Sequence, residues 1–92
     1  MDLKETIRAS YGVDLDEGYL RLAMMFNEAD KGKRDLQVHH VCPRCCGGKD
    51  DSFNLVRVTF QHHRKLHNMI LMSNLTPEQR RKLEWAYKNM RG

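Results

Sequence analysis

The chain has 92 residues, of which 40% are apolar and 30% are charged. This length provides for one small domain, and the composition is that of a folded globular protein rather than a fibrous or disordered one. No apolar run approaches the roughly 20 residues that a membrane-spanning helix needs, and the first residues lack the layout of a secretory signal. We therefore expect an intracellular protein with no membrane span.

The net charge of +4 is unevenly distributed. Residues 1–31 carry four Lys and Arg against seven Asp and Glu, whereas residues 32–92 carry twelve against five. A basic C-terminal two-thirds favours a polyanionic partner, most often nucleic acid, although the same charges could simply keep a small domain soluble.

The N-terminal third of the chain is predicted to form two helices. Asp2 is a candidate cap for a short helix that ends near Gly12. A second helix is predicted to begin at Asp14 or Asp16 and to end around residues 30–32, where a glycine can cap it. The apolar face of this second helix is expected to belong to the core.

The middle of the chain has the pattern of two short strands joined by a loop. Residues 36–41 are partly β-branched and alternate at first, which predicts a strand. The loop at residues 42–53 is marked by a proline and by adjacent glycines. Residues 54–60 then predict a second strand.

From Gln61 onward the apolar spacing becomes helical. A last helix is predicted to begin at Thr76, with Pro77 in the first helical position and Gln79 placed for a capping box. The whole pattern predicts an α+β fold in a single domain, with a helical part at 1–32, a strand–loop–strand–helix core at about 36–73 and a C-terminal helix at about 76–90.

All five histidines lie between positions 39 and 67. His63 and His67 are one helical turn apart, the spacing at which two imidazoles reach one metal ion, although a surface pair has the same spacing. His39 and His40 are adjacent on the first predicted strand, so their side chains point to opposite faces. One of them can therefore bind a metal while its neighbour stays free.

Two different metal sites can be built from these residues. One uses His39, His63 and His67, which leaves His40 free as a base and leaves open coordination positions, as a catalytic metal requires. We favour this site.

The alternative is a closed zinc site formed by Cys42, Cys45, His63 and His67, which predicts a non-catalytic, zinc-stabilised DNA-binding module. However, 17 residues separate Cys45 from His63, compared with roughly 12 to 15 in the usual finger pattern. This alternative also leaves the adjacent histidines of the first strand without a role.

Four sequence segments occur in an order that resembles the HNH endonucleases. They are His39-His40-Val41, Gly47-Gly48-Lys49-Asp50-Asp51, Asn54-Leu55-Val56 and His63-x-x-x-His67. The resemblance covers about residues 36–72, and residues 54–67 are especially similar to the colicin DNases and phage-type HNH proteins. It implies a ββα-metal fold flanked by helices, and a metal-dependent hydrolysis of DNA that leaves 5′-phosphate and 3′-hydroxyl ends.

The resemblance also implies a role for each site residue. His40 would be the general base that takes a proton from the attacking water, and Asn54 would hold the His40 ring by a hydrogen bond. His39, His63 and His67 would hold one divalent ion, for which Mg²⁺, Mn²⁺, Zn²⁺ and Ni²⁺ are candidates.

Many relatives carry two CxxC pairs that bind a structural zinc ion. Thr59 and His62 stand where the second pair would lie, so we expect no such zinc ion here. Cys42, Cys45 and Cys46 are then incidental loop cysteines. An odd, clustered set of cysteines also favours a reducing compartment.

Phosphate contacts are expected from basic residues near the motif. The candidates are Arg44, Lys49, Arg57, Arg64 and Lys65, with Arg80, Arg81 and Lys82 as an extension. The expected partner is DNA, and no membrane partner is expected. A second copy of the chain, as a homodimer, and proteins of a phage packaging or mobile-element assembly are further candidates.

Overall fold

The computed structural model describes residues 2–89. Within this range the chain forms an α+β fold with four α-helices and one two-stranded antiparallel sheet, as the sequence predicted. The elements are α1 (Leu3–Tyr11), α2 (Glu17–Ala29), β1 (Gln37–His40), β2 (Leu55–Val58), α3 (Phe60–Met69) and α4 (Pro77–Lys88). Short 3₁₀ turns lie at Arg44–Cys46, Ser52–Asn54 and Ile70–Met72.

The predicted caps start the helices. The Asp2 carboxylate accepts the N–H of Glu5 before α1, and Asp16 caps α2 in the same manner. Thr76 and Gln79 form the predicted capping box of α4, in which each side chain accepts the other residue's backbone N–H. Met90, the last residue predicted for this helix, lies outside the described residues.

The second strand is shorter than predicted. It ends at Val58 because Thr59 caps α3, accepting the N–H of His62 on its hydroxyl oxygen. Val58, Thr59 and Phe60 all have a high strand propensity. Because Thr59 caps α3, Phe60 is instead the first residue of that helix. Asn54 likewise precedes the strand, in a 3₁₀ turn.

One buried carboxylate connects α2 to the start of α3. Asp30 is fully buried, and its Oδ2 accepts the N–H of Thr59 at 2.9 Å and the Nδ1–H of His62 at 2.7 Å. The His62 ring also stacks on Phe26, with 3.8 Å between centroids. His62 therefore has a structural position that fixes the orientation of α3 against α2.

The core lies where α2 and α3 pack against the sheet. Apolar side chains from α1, α2, β2, α3 and α4 form it, including Ile7, Tyr19, Val58, Leu66 and Leu83. From β1 the buried residue is His39, and because β1 also packs against α3, its histidine is held at a fixed separation from those of α3. No helix within residues 2–89 is long and apolar enough to cross a lipid bilayer.

Candidate metal centre and catalytic residues

Three histidines from two elements form a cluster at the contact between β1 and α3. His39 comes from β1, and His63 and His67 come from successive turns of α3. One nitrogen from each ring lies within 4.8 Å of the other two, close enough for all three to hold one metal ion. Three imidazoles leave coordination positions open for water or substrate, which is the donor set of a catalytic site.

The hydrogen bonds of His39 fix its tautomer. The Tyr19 hydroxyl donates to the carbonyl oxygen of Val41 at 2.6 Å, so at 2.7 Å it must accept the Nε2–H of His39. Nδ1 of His39 then carries a lone pair, which is buried and has no partner among residues 2–89. A buried acceptor without a partner is costly, and a bound cation would satisfy it.

The second ring is oriented from β1. Nδ1 of His63 donates to Oε1 of Gln37 at 2.7 Å, which leaves Nε2 as the unprotonated ligand atom. Nδ1 of His67 is buried without a hydrogen-bond partner within the described range, as in His39. Neither Tyr19 nor Gln37 belongs to the motif, and sequence reasoning missed both, because each reaches its histidine only through the folded contact.

The cluster is held in the neutral form that metal binding requires. Burial, reinforced by His67 and His63, lowers the pKa of His39 well below its ordinary value. Burial also lowers the pKa of His67 to about 4, and that of His63 below its usual range. At neutral pH all three rings can therefore offer lone pairs without first losing protons.

His40 lies on the opposite face of β1 and is partly exposed. Its Nε2 lies 2.7 Å from Oδ1 of Asp50, and the same carboxylate accepts two 3.1 Å hydrogen bonds from Arg44. Hydrogen bonds from His40 and then Arg44 lower the pKa of Asp50, so this carboxylate is ionised. An ionised carboxylate accepts Nε2–H, which leaves Nδ1 of His40 as the basic nitrogen.

Asp50, the hydrogen-bond partner of His40, was not identified from the sequence. It lies in the segment Gly47–Asp51, where two adjacent aspartates could each have reached a histidine. Asp51 instead accepts a hydrogen bond from the Tyr11 hydroxyl at 2.6 Å. Only the loop conformation separates the two roles.

The predicted hydrogen bond from Asn54 to the His40 ring is wrong. Asn54 is fully buried, and its Oδ1 accepts the N–H of Cys42 at 2.6 Å. Its amide nitrogen donates to the carbonyl oxygens of Cys42 and Lys49 at 3.0 and 2.9 Å. Both amide hydrogens are thus used by the backbone of the β1–β2 loop, and Asn54 shapes this loop rather than touching His40.

Gly48 allows the loop to close this tightly. A Cβ at this position would overlap the carbonyl oxygen of Cys42 and would press on the amide of Asn54. The loop held by Asn54 carries both Arg44 and Asp50, so Asn54 fixes the backbone next to Asp50, the partner of His40.

The loop cysteines stand apart from the metal cluster. Cys42 is fully buried and Cys46 is 6% exposed, and burial raises the pKa of the Cys42 thiol to about 11. Within residues 2–89, the ligand group close enough to hold a metal ion contains histidines and no cysteine. The alternative site of Cys42 and Cys45 with His63 and His67 is therefore not assembled.

The side chains predicted to contact DNA differ in the contacts that they make within the protein. All five of the main candidates are exposed; they are Arg44, Lys49, Arg57, Arg64 and Lys65. The Arg64 guanidinium lies over the rings of Phe60 and Tyr87. Arg80 donates to the carbonyl oxygens of Leu71 and Ser73, so it caps the end of the α3 region instead of extending a DNA track.

A comparison with known proteins finds a local similarity to one phage protein. The chain is 44% identical over 34 residues to a protein of Enterobacteria phage T4 that bears the name "Probable mobile endonuclease E". The aligned stretch is 37% of this chain and 24% of the phage protein, so the chain spans about a quarter of that relative. No family model matches the chain, and no solved structure gives a significant match.

Proposed function

We propose that this chain is a metal-dependent DNA endonuclease of the HNH type. The observation that carries the proposal is the pair of histidine environments on β1. His39 joins His63 and His67 in a cluster that can hold a metal ion, and His40, on the other face, is paired with Asp50. The local similarity to a phage protein named as an endonuclease supports a nuclease activity.

His39, His63 and His67 would hold the ion. When bound, a divalent cation offsets negative charge on the phosphate and on the departing 3′-oxygen. His40 would accept a proton on Nδ1 from the water whose oxygen attacks phosphorus, while Asp50 holds the opposite side of the ring. The bond between phosphorus and the 3′-oxygen would break, and a solvent water would give that oxygen a proton, so the products are a 5′-phosphate and a 3′-hydroxyl.

Exposed cations around this site would bind the DNA backbone. Arg44 and Lys49 lie in the loop beside His40, and Arg64 and Lys65 lie on the outer surface of α3. One site cuts one strand, so a double-strand break would need a homodimer or two encounters. Association with phage packaging or mobile-element proteins stays a prediction.

The deciding experiment is cleavage of supercoiled plasmid with Mg²⁺, Mn²⁺, Ni²⁺ or Zn²⁺ in turn. We expect metal-dependent nicking that a chelator abolishes and that His40→Ala reduces by about 10²–10⁴-fold, the usual contribution of a general base. Val38→Ala is the matched control, because Val38 is an exposed residue two positions earlier on the same face of β1. Full activity of His40→Ala would contradict the proposal.

A further inference from the structure

A cleft of about 440 Å³ opens beside His40, between α4 and the loop that follows β1. This volume is within the roughly 300–1,000 Å³ range of small-molecule sites. His40 and His67 both line it, so the candidate base and one candidate metal ligand share its walls. A group bound there would lie directly against the proposed reaction centre.

The remaining walls are mainly apolar and include an exposed aromatic ring. Leu83 and Ala86 of α4 face Pro43 of the loop, and Trp85, the single tryptophan of the chain, forms one side. Trp85 is 69% exposed, the largest exposed fraction among the large apolar side chains of residues 2–89. It is therefore not a core residue, and its indole faces are available to a ligand.

Cations surround this apolar surface. Arg44 and Lys82 line the same cleft, and Arg81 borders Trp85 on its other side, together with Lys82 and Glu78. Lys82 lies 3.5 Å from Glu78 in an exposed pair, and Arg44 donates two hydrogen bonds to Asp50, so each of these cations is held beside the cleft by a carboxylate. An aromatic face bordered by cations is the combination that binds single-stranded nucleic acid, with stacked bases and neutralised phosphates.

We propose that this cleft binds one unpaired nucleobase of the DNA strand that is cut, stacked on Trp85. This inference rests on the proposed endonuclease function and specifies its substrate. A base reaches the cleft only when it is unpaired, because a base inside a duplex is stacked and its faces are covered. The preferred substrate is therefore single-stranded DNA or a duplex with an unpaired nucleotide next to the scissile phosphate.

The position of the cleft favours a nucleotide over a protein segment as its occupant. Because Trp85, Arg44 and His40 line the same cleft, a base stacked on Trp85 would bring its own phosphate toward Arg44 and the proposed base His40. A second copy of the chain seated on Trp85 would cover His40, the proposed base. The cations around Trp85 and the wall shared with His40 thus both favour a nucleotide.

Trp85 is also the natural probe of this site. The protein, kept free of metal by a chelator to prevent cleavage, is titrated with an oligothymidylate of about 12 nucleotides and with an abasic strand of equal length. We expect the oligothymidylate to quench Trp85 fluorescence and to bind about 5- to 150-fold more tightly than the abasic strand, the range for stacking of one base.

Variants then assign this difference to the ring. With fluorescently labelled strands, Trp85→Ala should bind both strands equally, whereas Trp85→Phe should keep most of the preference for bases. Met72→Ala is the control, since Met72 is 67% exposed and lies outside the cleft. A folded Trp85→Ala protein that retains the full preference overturns the proposal.

The outcomes separate this inference from the function on which it rests. Equal binding of both strands without quenching, in a protein that still nicks plasmid, overturns the base site and leaves the nuclease. Base-dependent quenching in a protein that cleaves no DNA supports the cleft as a base site and contradicts the nuclease. Dissociation of a dimer by Trp85→Ala, with no change in base preference, makes the cleft an interface between copies and overturns the proposal.

Discussion

The two faces of β1 carry adjacent histidines in contrasting environments. His39 is 1% exposed, and its ring is fixed by Tyr19 inside the core. His40 keeps 22% of its side-chain surface, and its partner is Asp50, a residue of an exposed loop. Strand geometry alone separates the two rings, and the packing on each face then gives one a buried lone pair and the other an accessible one.

This contrast matches the two roles proposed for the adjacent histidines. A metal ligand benefits from burial, because burial keeps the imidazole neutral and its orientation fixed. A general base needs access to water and a partner that sets its tautomer.

The largest effect is expected from removing one imidazole of the metal cluster or the imidazole of His40. His63→Ala should abolish both metal binding and cleavage, whereas His40→Ala should lose about 10²–10⁴-fold in cleavage and keep its metal affinity. Titration calorimetry with the activating metal, beside plasmid cleavage, measures the two quantities. Equal losses of metal affinity in both variants would contradict the division between the two faces.

Tyr19→Phe should lower the metal affinity by about 10–100-fold, the usual effect of removing a group that orients a metal ligand. The variant removes the acceptor of His39 Nε2–H and the donor to Val41. Tyr11→Phe is the matched control, because its hydroxyl donates to Asp51 instead of bonding a histidine. Identical metal affinities of the two variants would show that the Tyr19 hydroxyl does not tune the site.

The sequence predicted those features of the structure that are determined by residues close together in the chain. The cap at Asp16, the capping box at Thr76 and the one-turn spacing of His63 and His67 all follow from residues within four positions. The partner of His39 could not be anticipated in this way, since Tyr19 lies twenty positions away on another element.

The loop residues show the same limit. An asparagine in a motif has two plausible kinds of partner, a side chain or the backbone, and only the folded loop shows that Asn54 binds Cys42 and Lys49. The choice between Asp50 and Asp51 as the partner of His40 also depends on this loop. Loop conformation is set by nonlocal closure, which residue patterns do not encode.

Asn54→Ala should destabilise the protein by about 1–3 kcal/mol, because it leaves the N–H and carbonyl groups of Cys42 buried without their partner. Chemical denaturation measures the loss. Asn68→Ala, at an exposed position on α3, is the control. Cleavage should fall as well, through displacement of Asp50, while the metal affinity stays unchanged. An Asn54→Ala protein of unchanged stability would refute the role in holding the loop.

Burial of the histidine cluster should make the metal-free protein less stable in mild acid. The folded pKa of His67 is lowered to about 4 by burial and by His63, while the unfolded value is about 6.5. The unfolded chain thus binds more protons between these values, so this contribution to stability is complete above about pH 6.5 and is lost as the pH falls toward 4. His39 and His63 act in the same direction.

Thermal unfolding at several pH values tests this in the presence of a chelator. The midpoint should fall steadily from pH 7 to pH 5, and the fall should be shallower for His67→Gln, which cannot take up that proton. The buffer series must hold ionic strength constant, because surface ion pairs respond to salt. A midpoint that stays level over this range would contradict the neutral, buried state of the cluster.

The smallest effect is expected on DNA affinity, from replacing single cations near the exposed face of β1 that carries His40. Replacing Lys65 by Gln should weaken duplex binding modestly and lower the slope of log affinity against log salt by about 0.9, the value for one phosphate contact. Arg80→Gln is an informative comparison, because its guanidinium is engaged by the carbonyl oxygens of Leu71 and Ser73. That variant should lose stability and leave the salt slope unchanged.

If Arg80→Gln lowers the slope while Lys65→Gln does not, the DNA crosses the C-terminal helix rather than the outer surface of α3. The route of the phosphates past His40 would then have to be redrawn through Arg81 and Lys82, on the side of α4 where Trp85 lies.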